Sequence, residues 1–370
     1  MALGLLLPRL DARISDDVPF LFAGGPPGAR ALLSAVTTSM ISVTGLVFSI
    51  TVVALQLASS QFSPRVLRTF LRSRTTQLTL GVFVATFLYA IVVLRSVRGD
   101  AVEEPFVPQV SVTVAFVLVL ASAAVFLRYI QHITDSIRVS TIAGNVGNET
   151  RELIARIAST RGEDEPPAAV RLPPEREVVT SVAPGVLVHV DGDALLRYAE
   201  RADVVLRLLV RVGDFVPAGA PLVAVHGAVG RVAPARVRSA LRLGRDRTMQ
   251  QDVAFGLRQL VDIAERALSP GVNDPTTAVQ VLDQLHDLTR RLATQPDPSP
   301  ARAGADGTVR LVMPQRGFAE LLDLALDEIL DYGGESRQVR RRVAAMLDDL
   351  ESVSRQEHRA PVAAKRRRLC

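Results

Sequence analysis

Before about residue 135 the apolar residues come in long blocks. After it they alternate or recur every three to four positions. Three blocks approach the roughly 20 apolar residues that a bilayer core demands. They span about residues 31–57, 78–94 and 110–127, and the second and third carry no charge. The pattern predicts a transmembrane domain over 31–135, preceded by an external segment over 1–30. The first span has a polar side. At about 100° per residue, Ser34, Thr38, Ser42, Gly45, Ser49 and Gln56 fall within about 80° of one another. Leu33, Val36, Val43, Val47 and Ile50 lie opposite. Such a face is ill suited to lipid. Two readings stay open: small residues that let neighbouring helices pack closely, or a hydrated path that an oligomer lines with this face. No acid or base lies inside any span, which argues against a proton relay.

The pattern changes beyond the spans. Residues 136–175 read as a polar helix continuing the third span, then a Pro-rich linker at Gly162–Glu175. Residues 176–232 read as a β-rich unit. Its phrase RVGDFVPAGAPLVAV (Arg211–Val225) resembles the hairpin of biotinyl and lipoyl barrels, without the attachment lysine. Residues 233–360 read as helical, with apolar positions such as Leu257, Leu260 and Ala264, or Leu322, Ala325 and Ile329, at helical spacing. Asp274–Pro275 reads as an N-cap followed by proline at the first helical position. Thr294–Gly307 reads as a low-complexity linker, and 361–370 as a basic tail whose Lys365–Arg368 run suits a membrane surface. The predicted fold class is a membrane α-helical bundle plus a cytoplasmic α+β domain, a small β-barrel-like unit followed by helices.

Charge sets the orientation. Arg65, Arg68, Arg72 and Arg74 lie between the first two spans with no acid, whereas Arg95 and Arg98 face Asp100, Glu103 and Glu104 in the next loop. The positive-inside rule keeps the first loop in the cytoplasm, and with it everything after about residue 135. Arg65, Arg68 and Arg72 share one side of a helix. They either contact anionic lipid headgroups or only set topology. The net charge of +5 comes almost wholly from Arg, yet aromatics are 5% and Trp is absent, so no nucleic-acid partner is expected. Lys365 is the only lysine and Cys370 the only cysteine, which excludes lysine-dependent chemistry in the core and internal disulfides. The five histidines show no metal-ligand spacing, and no nucleophile-elbow, Walker A or dinucleotide motif is present. No catalytic, cofactor-binding or metal residue is indicated, so a non-enzymatic protein without a cofactor is expected. Arg247, Asp252, Asp262, Arg266, Asn273 and Asp274 form a candidate cytoplasmic cluster, either a small-anion or nucleotide site or a salt-bridge network. Asp323, Asp327 and Asp331 read as a solvated helix face.

Four phrases carry a resemblance: Ser39–Arg65, Gly81–Arg95, RTMQQD at Arg247–Asp252, and ERALSPGVNDPTTA at Glu265–Ala278. Together they resemble an uncharacterised bacterial family of predicted membrane proteins carrying domain of unknown function 2254. The resemblance implies membrane location and the two-part architecture, and no catalytic residues. It also implies a further span before the external loop, so residues 1–30 read as the remnant of one. The leading expectation is an oligomeric, channel- or transport-like protein of the cell membrane with a cytoplasmic regulatory domain. The other is a membrane-anchored sensor or scaffold whose cytoplasmic domain binds a ligand or partner.

Overall fold

A computed structural model describes residues 7–8, 22–61, 74–99, 105–136, 138–159, 172–227 and 230–369. The chain divides into two compact units, Met1–Thr141 and Ile142–Cys370.

The first unit is three antiparallel helices: α1 (Pro26–Gln61), α2 (Arg74–Ser96) and α3 (Gln109–Ser136). All three are long and apolar enough to cross a membrane. At 1.5 Å per residue each exceeds the roughly 30 Å of a hydrocarbon core. Their shared core has two parts. Leu33, Val36 and Met40 of α1 pack with Tyr89, Ala90 and Val93 of α2 and with Val112 and Ala115 of α3. Further along, Val47 and Ala54 meet Phe83, Tyr129 and Ile133. Hydroxyls cross between helices. Thr51 Oγ1 and Tyr129 Oη lie 2.6 Å apart, Thr86 and Ser122 are hydrogen-bonded at 3.1 Å, and Tyr89 Oη donates to the Ser111 carbonyl at 3.1 Å. Each replaces water that lipid cannot supply.

The second unit is a mixed α/β domain. It opens with α4 (Val139–Ser159), whose Gly147, Thr150, Leu153 and Ile154 are buried. The third span therefore ends at Ser136, and the expected continuous extension is instead a separate helix packed into the α/β unit. Its glycine and threonine allow close approach: a Cβ on Gly147 would meet Gln284, and one on Gly256 would meet Thr150. Then follow β1 (Glu175–Thr180), β2 (Gly185–Val190), α5 (Gly192–Ala202), β3 (Val204–Leu208), β4 (Phe215–Val216), β5 (Pro221–Gly227), α6 (Pro234–Ser239) and β6 (Leu241–Gly244). After them come α7 (Val253–Leu268), α8 (Pro275–Ala293), β7 (Ala301–Ala303), β8 (Val309–Val312), α9 (Phe318–Gly333), α10 (Arg337–Val353) and α11 (Arg359–Leu369).

Two open sheets, ordered β1-β5-β3-β8-β7 and β4-β2-β6, replace the expected barrel. The reason lies at Pro217–Ala220. The turn around Gly219 (φ +79°) passes the chain from one sheet to the other, so β4 pairs with β2 while β5 pairs with β1 and β3. Strand β3 then pairs in parallel with β8, Leu206 opposite Leu311. The expected linker at Thr294–Gly307 contains β7, which edges that sheet. Leu187, Leu195, Leu206, Leu222 and Val237 fill the core of this half, and α7 packs against α8 and α9 in the helical half.

The tail is also corrected. Lys365 is buried on α11 and pairs with Asp323 at 2.6 Å and Asp327 at 2.5 Å. Arg366 meets Asp348 and Glu351, and Arg368 meets Asp327 and Asp331. The acidic row of α9, spaced at four residues, keeps Asp323 and Asp331 exposed, as expected of a solvated face, and also pairs with Lys365 and Arg368 of α11.

Candidate functional site

Five of the six predicted stripe residues of α1 carry polar groups or hydroxyls and Gly45 completes the line. All six lie on the exposed side of the three-helix unit. The buried positions Leu33, Val36, Met40, Val47 and Ala54 centre about 180° away at helical spacing. Apolar residues border the stripe, Ile41 and Phe48 on one edge and Leu46 and Val53 on the other, all exposed. The outer sides of α2 and α3 are different. From Leu78 to Leu94 and from Val110 to Leu127 every exposed described residue is apolar, as Val84, Ile91, Phe116 and Leu120 are. Exposed hydroxyls within the membrane-length part thus belong to α1. Ser42 Oγ donates to the Thr38 carbonyl at 3.0 Å, the local bond that lowers the cost of a hydroxyl in an apolar setting. Gly45 has no heavy atom within 4 Å of where a Cβ would stand. Arg65, Arg68 and Arg72, and the external-segment reading of residues 9–21, lie outside the described residues.

The six residues from Arg247 to Asp274 that the sequence groups as a cluster do not converge. Asp252 caps α7, accepting from Phe255 N at 3.0 Å, and Asp274 caps α8, accepting from Thr276 and Thr277 N at 3.1 Å. The 16-residue helix between them is about 24 Å long. Asn273 takes a left-handed conformation (φ 49°) in the connecting turn, and Arg266 is exposed on the last turn of α7. Asp262 instead joins an ion-pair hub on Arg258, whose guanidinium reaches Asp262 at 2.6 Å, Glu265 at 3.2 Å and Glu328 of α9.

Around Asp252 the sequence phrases do meet. Arg247 Nε donates to Asp252 Oδ2 at 2.9 Å, and its guanidinium stacks over the Phe255 ring at 5.1 Å. Asp252 is 4% exposed, and burial pushes its carboxyl up against the pull of Arg247. Gly213 (φ +95°) makes room for the pair, because a Cβ there would collide with Asp252 Oδ2 and crowd Arg247. Gln251 bonds both backbone groups of Val190, donating to its carbonyl at 3.1 Å and accepting from its N–H at 2.9 Å. RTMQQD is therefore a clamp on the ends of β2 and the Gly213–Asp214 turn.

A cleft of about 950 Å³ opens beside this clamp. The carboxyl ends of β2, β3 and β8 run into it at His189–Val190, Leu208–Val212 and Met313–Arg316. Of these strands β3 and β8 form a parallel pair, and the carboxyl end of parallel strands is where α/β sheets hold ligands. Three helices begin on it, and an aspartate caps each start: Asp191 accepts from Ala194 N at 2.9 Å, Asp252 from Phe255 N, and Asp297 from Phe318 N at 2.6 Å. Sequence reading missed this cleft, since its walls come from segments more than 100 residues apart. Among the described residues no group of three or more His, Cys, Asp or Glu is placed to hold a metal ion.

No solved structure matches the chain. It is 36% identical over 362 residues to Uncharacterized protein Rv1290c of Mycobacterium tuberculosis (strain ATCC 25618 / H37Rv) and to Uncharacterized protein Mb1321c of Mycobacterium bovis, covering 94% of this chain and 68% of each relative. Residues 1–349 match the family described as predicted membrane protein (DUF2254), and the chain belongs to that family.

Proposed function

We propose that this membrane protein assembles through the polar side of α1, so that several copies surround a hydrated path, with the α/β unit as its cytoplasmic regulatory module. One observation carries the reading: the stripe from Ser34 to Gln56 faces away from α2 and α3, while the outer sides of those two helices across the membrane are apolar. In lipid this side would expose an amide and a row of hydroxyls whose hydrogen-bonding capacity a local bond such as Ser42 to the Thr38 carbonyl only partly fills. A second copy supplies both partners and small-residue packing, and a ring of copies supplies water. Orientation rests on the Arg65–Arg74 loop, which has four arginines and no acid.

The test uses single cysteines at Ser42 and Ser49 in a Cys370→Ser background, in intact membranes. Reaction with a membrane-impermeant thiol reagent, absent for a cysteine at the lipid-facing Val84 or Leu120, is the expected result. Complete protection of both stripe positions in every condition would remove the hydrated path and leave a packed interface.

A further inference from the structure

We propose that the cleft of the α/β unit holds a small organic anion, a carboxylate or phosphate on an apolar body. The inference does not depend on how the spans assemble. The size fits: about 950 Å³ is the upper end of small-molecule pockets, commonly about 300–1,000 Å³. The walls fit an apolar body, because Ile154, Leu208, Val210, Met313 and Leu321 line the cleft.

Guanidinium donors favour the anion. The acids in the wall have acceptors engaged within the fold. Asp191, Asp252 and Asp297 cap helix starts, the second oxygen of Asp252 takes Arg247, and Asp193 takes Arg302. Both amide atoms of Gln251 are engaged by Val190. Three arginines in the wall accompany these four aspartates, and each arginine has donors beyond its pairing in the fold. Arg211 gives Nη1 to Glu320 at 2.6 Å, Arg302 gives Nη2 to Asp193 at 2.6 Å, and Arg316 gives Nη2 to Asp214 at 3.2 Å. A guanidinium has five N–H donors, so a single pairing leaves most of each fork for a ligand. These guanidinia are about one-third exposed, so they are neither sealed in the core nor free in solvent. Gly192 helps, since a Cβ there would crowd Arg302 Nη1 at 2.7 Å. Planar forks of this kind suit carboxylate and phosphate. The three helix starts add positive potential, partly offset by their capping aspartates.

The source of the anion, a soluble nucleotide or a lipid-derived acid, is separated by the choice of probe. The full chain in lipid nanodiscs is titrated calorimetrically with adenosine monophosphate, octanoate and inorganic phosphate, with adenosine and octanol as neutral counterparts and empty nanodiscs as blanks. One organic anion is expected to bind while its neutral counterpart does not, and inorganic phosphate to bind more weakly for want of an apolar body. Arg211→Gln and Arg316→Gln are each expected to weaken the bound anion about tenfold, the usual scale for one charge-assisted pair. Unliganded thermal midpoints show that each variant folds, and Arg302→Gln substitutes for one that does not. The proposal is overturned if neither organic anion binds at millimolar concentration, if the neutral counterparts bind equally well, or if folded arginine variants keep wild-type affinity.

Discussion

Replacing Glu265 by glutamine should abolish a pH dependence built into the α7–α9 interface. Arg258 is shared by three carboxylates, Asp262 and Glu265 on its own helix and Glu328 across the interface. Asp327, which pairs with Lys365 and Arg368, adds its negative charge from α9. One cation cannot neutralise three anions, and Glu265 and Glu328 hydrogen-bond to each other, so the pair holds a proton. Burial first, then that bond, raises Glu265 from 4.5 to about 7, while the same bond lowers Glu328. Because the folded value lies above the unfolded one, the stabilisation is complete below about pH 4.5 and is lost as pH rises through about 7. At about 1.4 kcal/mol per unit the shift alone would give about 3.4 kcal/mol. The opposite shift of Glu328 and its 42% exposed side chain cut this to about 1–2 kcal/mol. Glutamine keeps the neutral shape and a donor for Glu328. With no Trp in the chain, far-ultraviolet circular dichroism of the detergent-solubilised protein is the suitable melting assay. The difference in Tm between Glu265→Gln and wild type should be near zero at about pH 5 and reach about +3 to +6 °C at about pH 8.5. A difference that does not change with pH, or one that falls as pH rises, would refute the shared-proton reasoning.

Three further outcomes are expected. Gly213→Ala meets both a left-handed backbone and the Arg247–Asp252 pair, and should cost about 2–3 kcal/mol in denaturant unfolding of the full chain; a neutral result would mean the turn relaxes freely. Tyr129→Phe removes the hydroxyl that meets Thr51 and the Val47 carbonyl, and should lower stability in mixed micelles by about 0.6–1.7 kcal/mol; an unchanged value would show these bonds add nothing over lipid. Lys365→Ala leaves Asp323 without its 2.6 Å partner, so trypsin should cut after Arg366 and Arg367 several-fold faster, and an unchanged rate would show that Arg366 and Arg368 alone hold α11.

Local pattern made the spans, the apolar helix faces and the Asp274–Pro275 cap readable, because each is decided within a turn or two of chain. The stripe was readable as a periodicity. Its direction was not, since only the packing of Leu33, Val36 and Val47 against α2 and α3 fixes which side faces out. The sheets were misread because Gly213–Val225 looks like a self-contained hairpin, whereas its two strands serve different sheets and β3 recruits a parallel partner about 100 residues later. The cluster from Arg247 to Asp274 looked contiguous because its members are close in sequence, but a straight helix separates its ends. The Arg258 hub and the docking of Lys365 depend on side chains from helices distant in sequence, and composition carries no trace of either.

The most direct test of the proposed assembly is disulfide cross-linking in native membranes, with single cysteines at Ser42, Ser49 and, as a control, Val84 in the Cys370→Ser background. Cross-linked dimers at both stripe positions and none at Val84 are predicted. Cross-linking confined to Val84, or a monomer throughout with all three cysteines oxidant-accessible, would contradict assembly through α1.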